Sequence, residues 1–142
     1  MRQSIFIDTD VVLDFLTGRQ PFARNAAIIF TLNIEQKIDT FISPLTFSNC
    51  YYVMRKVAKH EKVIDKLSGL LDITDIARMN KQTVELALKS DFKDFEDALQ
   101  NYSAMDNDNI DIIVTRNLKD YKHSELAVMS PETFLKFLTA ST

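Results

Sequence analysis

Hydrophobic and polar positions follow two different rhythms along the chain. Short apolar runs stop abruptly at polar or acidic residues at positions 4–8 (SIFID), 40–43 (TFIS), 72–76 (DITDI), 111–115 (DIIVT) and 127–130 (AVMS). Runs of that length without polar alternation predict strands of a parallel sheet buried on both faces. Between them apolar residues recur at helical spacing. Phe22, Ala26, Ile29 and Phe30 predict a helix after Pro21, and Cys50, Val53, Met54 and Val57 predict one face of a second helix starting near Pro44. Val84 with Leu88, and Phe95 with Leu99 and Tyr102, predict two more, and Phe134, Leu135 and Leu138 a last one. Ser43-Pro44 and Ser130-Pro131 mark two helix starts, with Ser placed to accept from free amides and Pro to preset φ.

Strands separated by helices predict an α/β protein, a three-layer α/β/α arrangement with a central, mostly parallel sheet of about five strands. Repeats, low-complexity tracts and linkers are missing, so residues 1–142 are expected to form one domain. The N-terminal apolar run is too short for a signal peptide and no stretch is long enough for a membrane span, which leads to the expectation of a cytoplasmic protein.

Composition narrows the chemistry. The chain has 2 Gly, 2 His and 1 Cys, and neither Gly18 nor Gly69 belongs to a phosphate-cradling sequence. Cys50 has no partner for a disulfide, and with His60 and His123 in unrelated contexts a structural zinc site lacks ligands. Cys50 itself reads as a buried structural thiol. A net charge of -3 argues against coating nucleic acid by bulk electrostatics, while leaving room for local or metal-mediated phosphate contacts.

What remains is oxygen chemistry at strand ends, where parallel α/β sheets bind ligands. Asp8 ends the first strand and Asp10 follows it; Thr115, Asn117 and Asp120 stand at or just after the fourth. Asp94 and Asp97 are spaced to share a helix face, with Asn101 one turn further on. Carboxylates gathered in this way repel one another unless a cation compensates, and oxygen-only ligation suits Mg²⁺ or Mn²⁺. Asp94 also reads as a helix cap. Asp8 is the strongest candidate, because a carboxylate flush against a buried strand is costly without partners.

The segments IFIDTDVVLDFL (5–16), SPLTFSNCYYVMRK (43–56), DFEDALQNYSA (94–104) and IVTRNLKDY (113–121) together resemble the PIN-domain nucleases, in particular the branch of VapC-type toxins. That resemblance covers almost the whole chain. It implies metal-dependent hydrolysis of RNA by a toxin-like endoribonuclease, with a cognate antitoxin as partner and a homodimer as assembly. It carries the family's acidic positions onto Asp8, Asn49, Asp97 and Asn117, two of them amides here. Asp8, Asp97 and Asp120 are the implied Mg²⁺ or Mn²⁺ ligands, Asn49 and Asn117 the groups orienting water or phosphate, and Asp10, Asp94, Glu96 and Thr115 supporting groups. Lys56, Arg116, Lys119 and Lys122 are candidate RNA contacts, and Tyr51 and Tyr52 candidate stacking surfaces. Two other functions fit some of the same residues. The amides at Asn49 and Asn117 suit an inactive PIN-like RNA-binding or regulatory protein. Asp8-Thr9-Asp10 also resembles the start of haloacid-dehalogenase-type phosphatases, with Asp8 as nucleophile.

Overall fold

A computed structural model describes residues 2–141. The chain runs β1 (Gln3–Ile7), α1 (Thr9–Thr17), α2 (Ala23–Ile34), β2 (Ile38–Ile42), α3 (Pro44–Met54), α4 (His60–Ile73), β3 (Asp75–Ile76), α5 (Lys81–Lys89), α6 (Phe95–Met105), β4 (Ile110–Val114), a 3-10 turn (Leu118–Tyr121), β5 (Ala127–Met129) and α7 (Pro131–Ala140). All strand pairings are parallel, in the order β3-β2-β1-β4-β5. The chain winds outward from β1 to β3, then returns to lay β4 against the other side of β1. The topological switch point therefore lies between β1 and β4.

Alternation along β1 explains the layers. Ile5 and Ile7 point into one core with Ile42, Ile112 and Val114, which α1, α2, α3, α4 and α7 cover with Val11, Ile29, Phe30, Cys50, Leu67 and Phe134. Phe6 points to the other face with Ile113, beneath Ala104 of α6 and the Tyr121 ring. Each such side chain contributes about 1.5–3 kcal/mol by leaving water. A strand with both faces covered needs no polar alternation, which is why residues 4–8 read as one apolar run.

The structure corrects the expected elements in several places. Of the run at 72–76 only Asp75–Ile76 pairs, next to Phe41 and Ile42. The preceding residues continue α4, whose Val63, Leu67 and Leu70 are buried one turn apart, until Thr74 donates its hydroxyl back to the Leu70 carbonyl. Neither α4 nor α1 is among the helices that the pattern predicts. The α3 face holds for Cys50 and Met54, but the helix stops at Met54, leaving Val53 half exposed and Val57 88% exposed. Helix α5 buries Thr83 and Ala87, whereas Val84 and Leu88 face outward.

Helix α1 is held at three points. Asp8 caps its start, and Gly18 ends it in the left-handed region (φ 68°), its N–H donating to the Asp14 carbonyl. In between, the buried Asp14 carboxylate receives both Arg116 Nε (2.8 Å) and Arg116 Nη2 (3.2 Å). The Arg116 guanidinium in turn lies 3.8 Å from the centre of the Phe22 ring. This one arginine ties α1 and the start of α2 to the exit of β4. Arg116→Ala leaves Asp14 buried and unpaired, so urea denaturation should show a loss of about 3 kcal/mol. A loss below about 1 kcal/mol, the worth of a surface pair, would show that the clamp does not hold α1.

Candidate active site

Asp8 stands where β1 ends, at the switch point. Its backbone N–H donates to the Val114 carbonyl (3.0 Å), which fixes it beside the end of β4. The residue is 5% exposed. Oδ1 accepts the Thr9 N–H (2.8 Å) and the longer contact from Gln100 Nε2 (3.4 Å); Oδ2 accepts the Thr115 hydroxyl (2.8 Å). Burial nevertheless raises the proton affinity of Asp8, and these hydrogen bonds oppose that rise.

Behind Asp8 lies a polar network that the sequence reading left out. The Gln100 amide donates to Thr46 Oγ1 (2.8 Å) and reaches Thr9 Oγ1 (3.4 Å), while the two threonine hydroxyls are 2.9 Å apart. Ser43 Oγ donates to Gln100 Oε1. Ser43, Thr46 and Gln100 are all buried. One clue was available: Gln100 lies three residues after Asp97, at a position where a helix facing a sheet ordinarily carries an apolar side chain.

Helix α6 delivers the second carboxylate. Asp94 is its N-cap, accepting the Asp97 N–H (2.9 Å), so the cap reading of Asp94 is realised. Asp97 is partly buried, and its pKa is pushed up to about 7, first by burial and then by the negative charges of Asp8, Asp94, Asp120 and Glu96. Four other carboxylates thus converge on one. Asp10, also drawn in, is raised to about 6 by burial and by Asp8; its oxygens accept the N–H groups of Val11 (2.7 Å) and Arg116 (3.0 Å). Across the cluster Asn49 Nδ2 donates to Glu96 Oε1, which ties α3 to the first turn of α6.

The remaining expected residues fall as follows. Asn117 precedes the 3-10 turn, exposed, with its N–H donating to Thr115 Oγ1 (3.0 Å). Asp120 and Lys119 are exposed within that turn, and Lys56 and Lys122 are exposed. Lys56 lies beyond the end of α3. The Arg116 guanidinium is engaged by Asp14 rather than extended to solvent. Asn101 is buried and turns its Nδ2 to Met105 Sδ (3.4 Å). Tyr51 packs against the core with its hydroxyl on His60 Nδ1 (2.9 Å), leaving Tyr52, 68% exposed, as the ring open to stacking. Cys50 is buried, its thiol pushed up to about 12, which suits an inert core residue.

Among the described residues no three carboxylate, thiol or imidazole side chains are gathered tightly enough to hold a metal ion as they stand. The donor chemistry nonetheless fits a hard divalent cation: oxygen only, negative, and forced toward protonation by mutual repulsion. A buried hydroxyl without a partner, Tyr121 Oη, lies alongside.

The PIN-domain family model matches residues 4–119, and the chain belongs to the PIN-domain family. Its fold is similar to a toxin–antitoxin complex from Klebsiella pneumoniae (21% identity over 89% of this chain and 97% of that one, TM-score 0.66). It is likewise similar to VapBC-1 from nontypeable Haemophilus influenzae (15% identity, 92% and 99% covered, TM-score 0.67). VapC20 of Mycobacterium tuberculosis, a toxin that cleaves the sarcin–ricin loop, shares 14% identity over 77% of this chain and 86% of that one, with a TM-score of 0.58. A search of curated proteins finds no match. Family membership removes the basis for the phosphatase alternative.

The raised carboxyl of Asp97 has a measurable consequence. Unfolded, it returns to its ordinary 3.8, so between 3.8 and about 7 the native state binds the extra proton. That contribution to stability is full below the window and lost as pH rises through about 7. In EDTA, Asp97→Asn should therefore raise Tm markedly at pH 8 and by less at pH 5, where the native carboxyl is still neutral and only part of that contribution has been lost. An equal shift at both pH values would show that no charge repulsion acts there.

Proposed function

We propose that this protein is a metal-dependent endoribonuclease, the toxin of a toxin–antitoxin pair. The observation that carries the reading is the convergence of Asp8, Asp94, Glu96 and Asp120 on Asp97, at the strand ends of the switch point, with Arg116 committed to Asp14. Such a cluster calls for a cation. Family membership supports nuclease chemistry, the sarcin–ricin-loop-cleaving neighbour supports RNA as substrate, and the toxin–antitoxin neighbours support an antitoxin as partner.

In this reading Asp8 and Asp97 hold Mg²⁺ or Mn²⁺, with Asp120 joining from the 3-10 turn. Bound there, the cation polarises the phosphate and lowers the pKa of an attacking water. Asp8 serves as the fixed member, because Thr9, Thr115 and Gln100 leave its carboxylate one orientation. Asn49 is the positioning group for Glu96, and through it a carboxylate from α6 stands against the α3 position that carries an amide. Asn117 orients water or phosphate by hydrogen bonds, Thr115 steadies Asp8, and the exposed Lys56 and Lys119 guide the RNA backbone. Among the described residues no helix is long and apolar enough to cross a membrane. Cytoplasmic action and a homodimeric assembly, with an antitoxin occupying the acidic groove, complete the proposal.

A binding protein without cleavage is the second reading, and the amides at Asn49 and Asn117 favour it. RNA incubation separates the two. The wild type should cleave RNA in Mn²⁺ and not in EDTA, and Asp8→Asn and Asp97→Asn should each lower kcat by about 100-fold or more with unchanged circular dichroism. Wild type and variants acting alike would end the nuclease reading. Glu96→Gln should weaken Mn²⁺ binding about tenfold by calorimetry, and unchanged affinity would remove Glu96 from the site.

A further inference from the structure

Tyr121 closes the 3-10 turn and is 1% exposed. Its ring needs no explanation: it packs with Phe6, Ala104 and Ile113 and meets Phe92 edge to face at 6.0 Å. A phenylalanine would make the same contacts. The hydroxyl is different, because it is buried with no hydrogen-bonding partner. An unmet buried polar group of this kind costs about 1–3 kcal/mol.

The surroundings of the hydroxyl are acidic. Burial and the charges of Asp8, then Asp97, push its proton affinity upward, so Oη is a neutral O–H donor. Asp8 acts on it most strongly of the carboxylates, by charge and through a marginal side-chain contact that falls short of a well-formed hydrogen bond, and both Asp8 oxygens already accept from Thr9, Gln100 and Thr115. The hydroxyl therefore has a proton to share, an acidic centre beside it, and no protein acceptor near it except Asp8, whose oxygens are already engaged.

We infer that Tyr121 is a ligand-holding residue of the acidic centre, whose hydroxyl donates to an oxygen the protein does not supply, either a water retained beside Asp8 and Asp97 or a phosphodiester oxygen. The inference rests on the reading of that centre as a cation-dependent phosphodiesterase site. It gives Tyr121 a polar task distinct from the packing of its ring, and it places the 3-10 turn in the site through two successive residues, Asp120 and Tyr121.

Tyr121→Phe in the full chain tests it by removing one oxygen. In EDTA its Tm should match or exceed that of the wild type, since only the marginal contact with Asp8 is lost. A fall of about 4 °C would mean that the hydroxyl bonds a protein group, and would overturn the inference. Calorimetry then follows Mn²⁺ alone, and adenosine 5′-monophosphate added to the Mn²⁺-loaded protein. One of the two affinities should drop about tenfold. A weaker Mn²⁺ affinity identifies the oxygen as water. Unchanged Mn²⁺ affinity with weaker nucleotide affinity identifies it as a phosphate oxygen. If the wild type binds Mn²⁺ and the variant equals it in both titrations, the inference alone falls. If the wild type binds no Mn²⁺, the reading of the centre falls and takes the inference with it.

Discussion

The arrangement depends on a carboxylate placed where a carboxylate is expensive. Asp8 directly follows three fully buried residues, Ile5, Phe6 and Ile7, and is itself almost wholly removed from water. Desolvating an ionised carboxylate costs several kcal/mol, and hydrogen bonds to the charged form recover about 1.5–3 kcal/mol each. The neighbourhood of Asp8 is built from groups able to supply such bonds. Thr9 gives an amide at the start of α1, Thr115 a hydroxyl from the exit of β4, and Gln100 a longer amide contact from α6. Elements far apart in sequence are thereby required to meet at one point.

That requirement spreads outward. Gln100 is worth burying only if its own groups are met, and Ser43 and Thr46 meet them from the start of α3. Ser43 also accepts the Thr46 N–H as the cap of α3, so a single hydroxyl sets the helix start and serves the network. On the opposite side, Arg116 follows Thr115 directly, and its N–H holds Asp10 while its guanidinium holds Asp14. The strand end that orients Asp8 therefore also pins the helix that Asp8 caps. Partly satisfied networks of this kind are costly, which gives the whole polar layer one cooperative geometry.

How far the sequence discloses this differs from residue to residue. The sheet is legible because residues 5–7 and 112–114 are buried on both faces and read as uninterrupted apolar runs. The run at 72–76 misleads because its apolar residues, Ile73 and Ile76, belong to a helix end and to a two-residue edge strand. The positions of Asp8 and Asp97 are legible from where they stand relative to the elements. Gln100, Thr46 and Tyr121 are not, because their significance comes from partners 37 or more residues away, or from a buried hydroxyl left without a well-formed hydrogen bond. Arg116 reads as one of several basic residues by a strand end; only the tertiary placement of Asp14, itself within an ordinary amphipathic helix, shows where its charge is spent.

The first turn of α6 shows why local rules and site chemistry are hard to separate. Its free N–H groups and the helix dipole favour acidic residues there, and Asp94, Glu96 and Asp97 satisfy that preference completely. By local chemistry alone Asp97 should be comfortably ionised, with a proton affinity below the ordinary value. It is instead held at about 7, so burial and the neighbouring carboxylates outweigh the favourable helix end. Asp94 has the same helical advantage and caps the helix through its side chain. Of two aspartates three residues apart, one is a structural cap and the other a destabilised charge on which burial and Asp8 act most. A charge that the fold keeps in place against both burial and its neighbours is relieved by a proton or by a cation, and that is the physical basis on which a cation-dependent site is proposed.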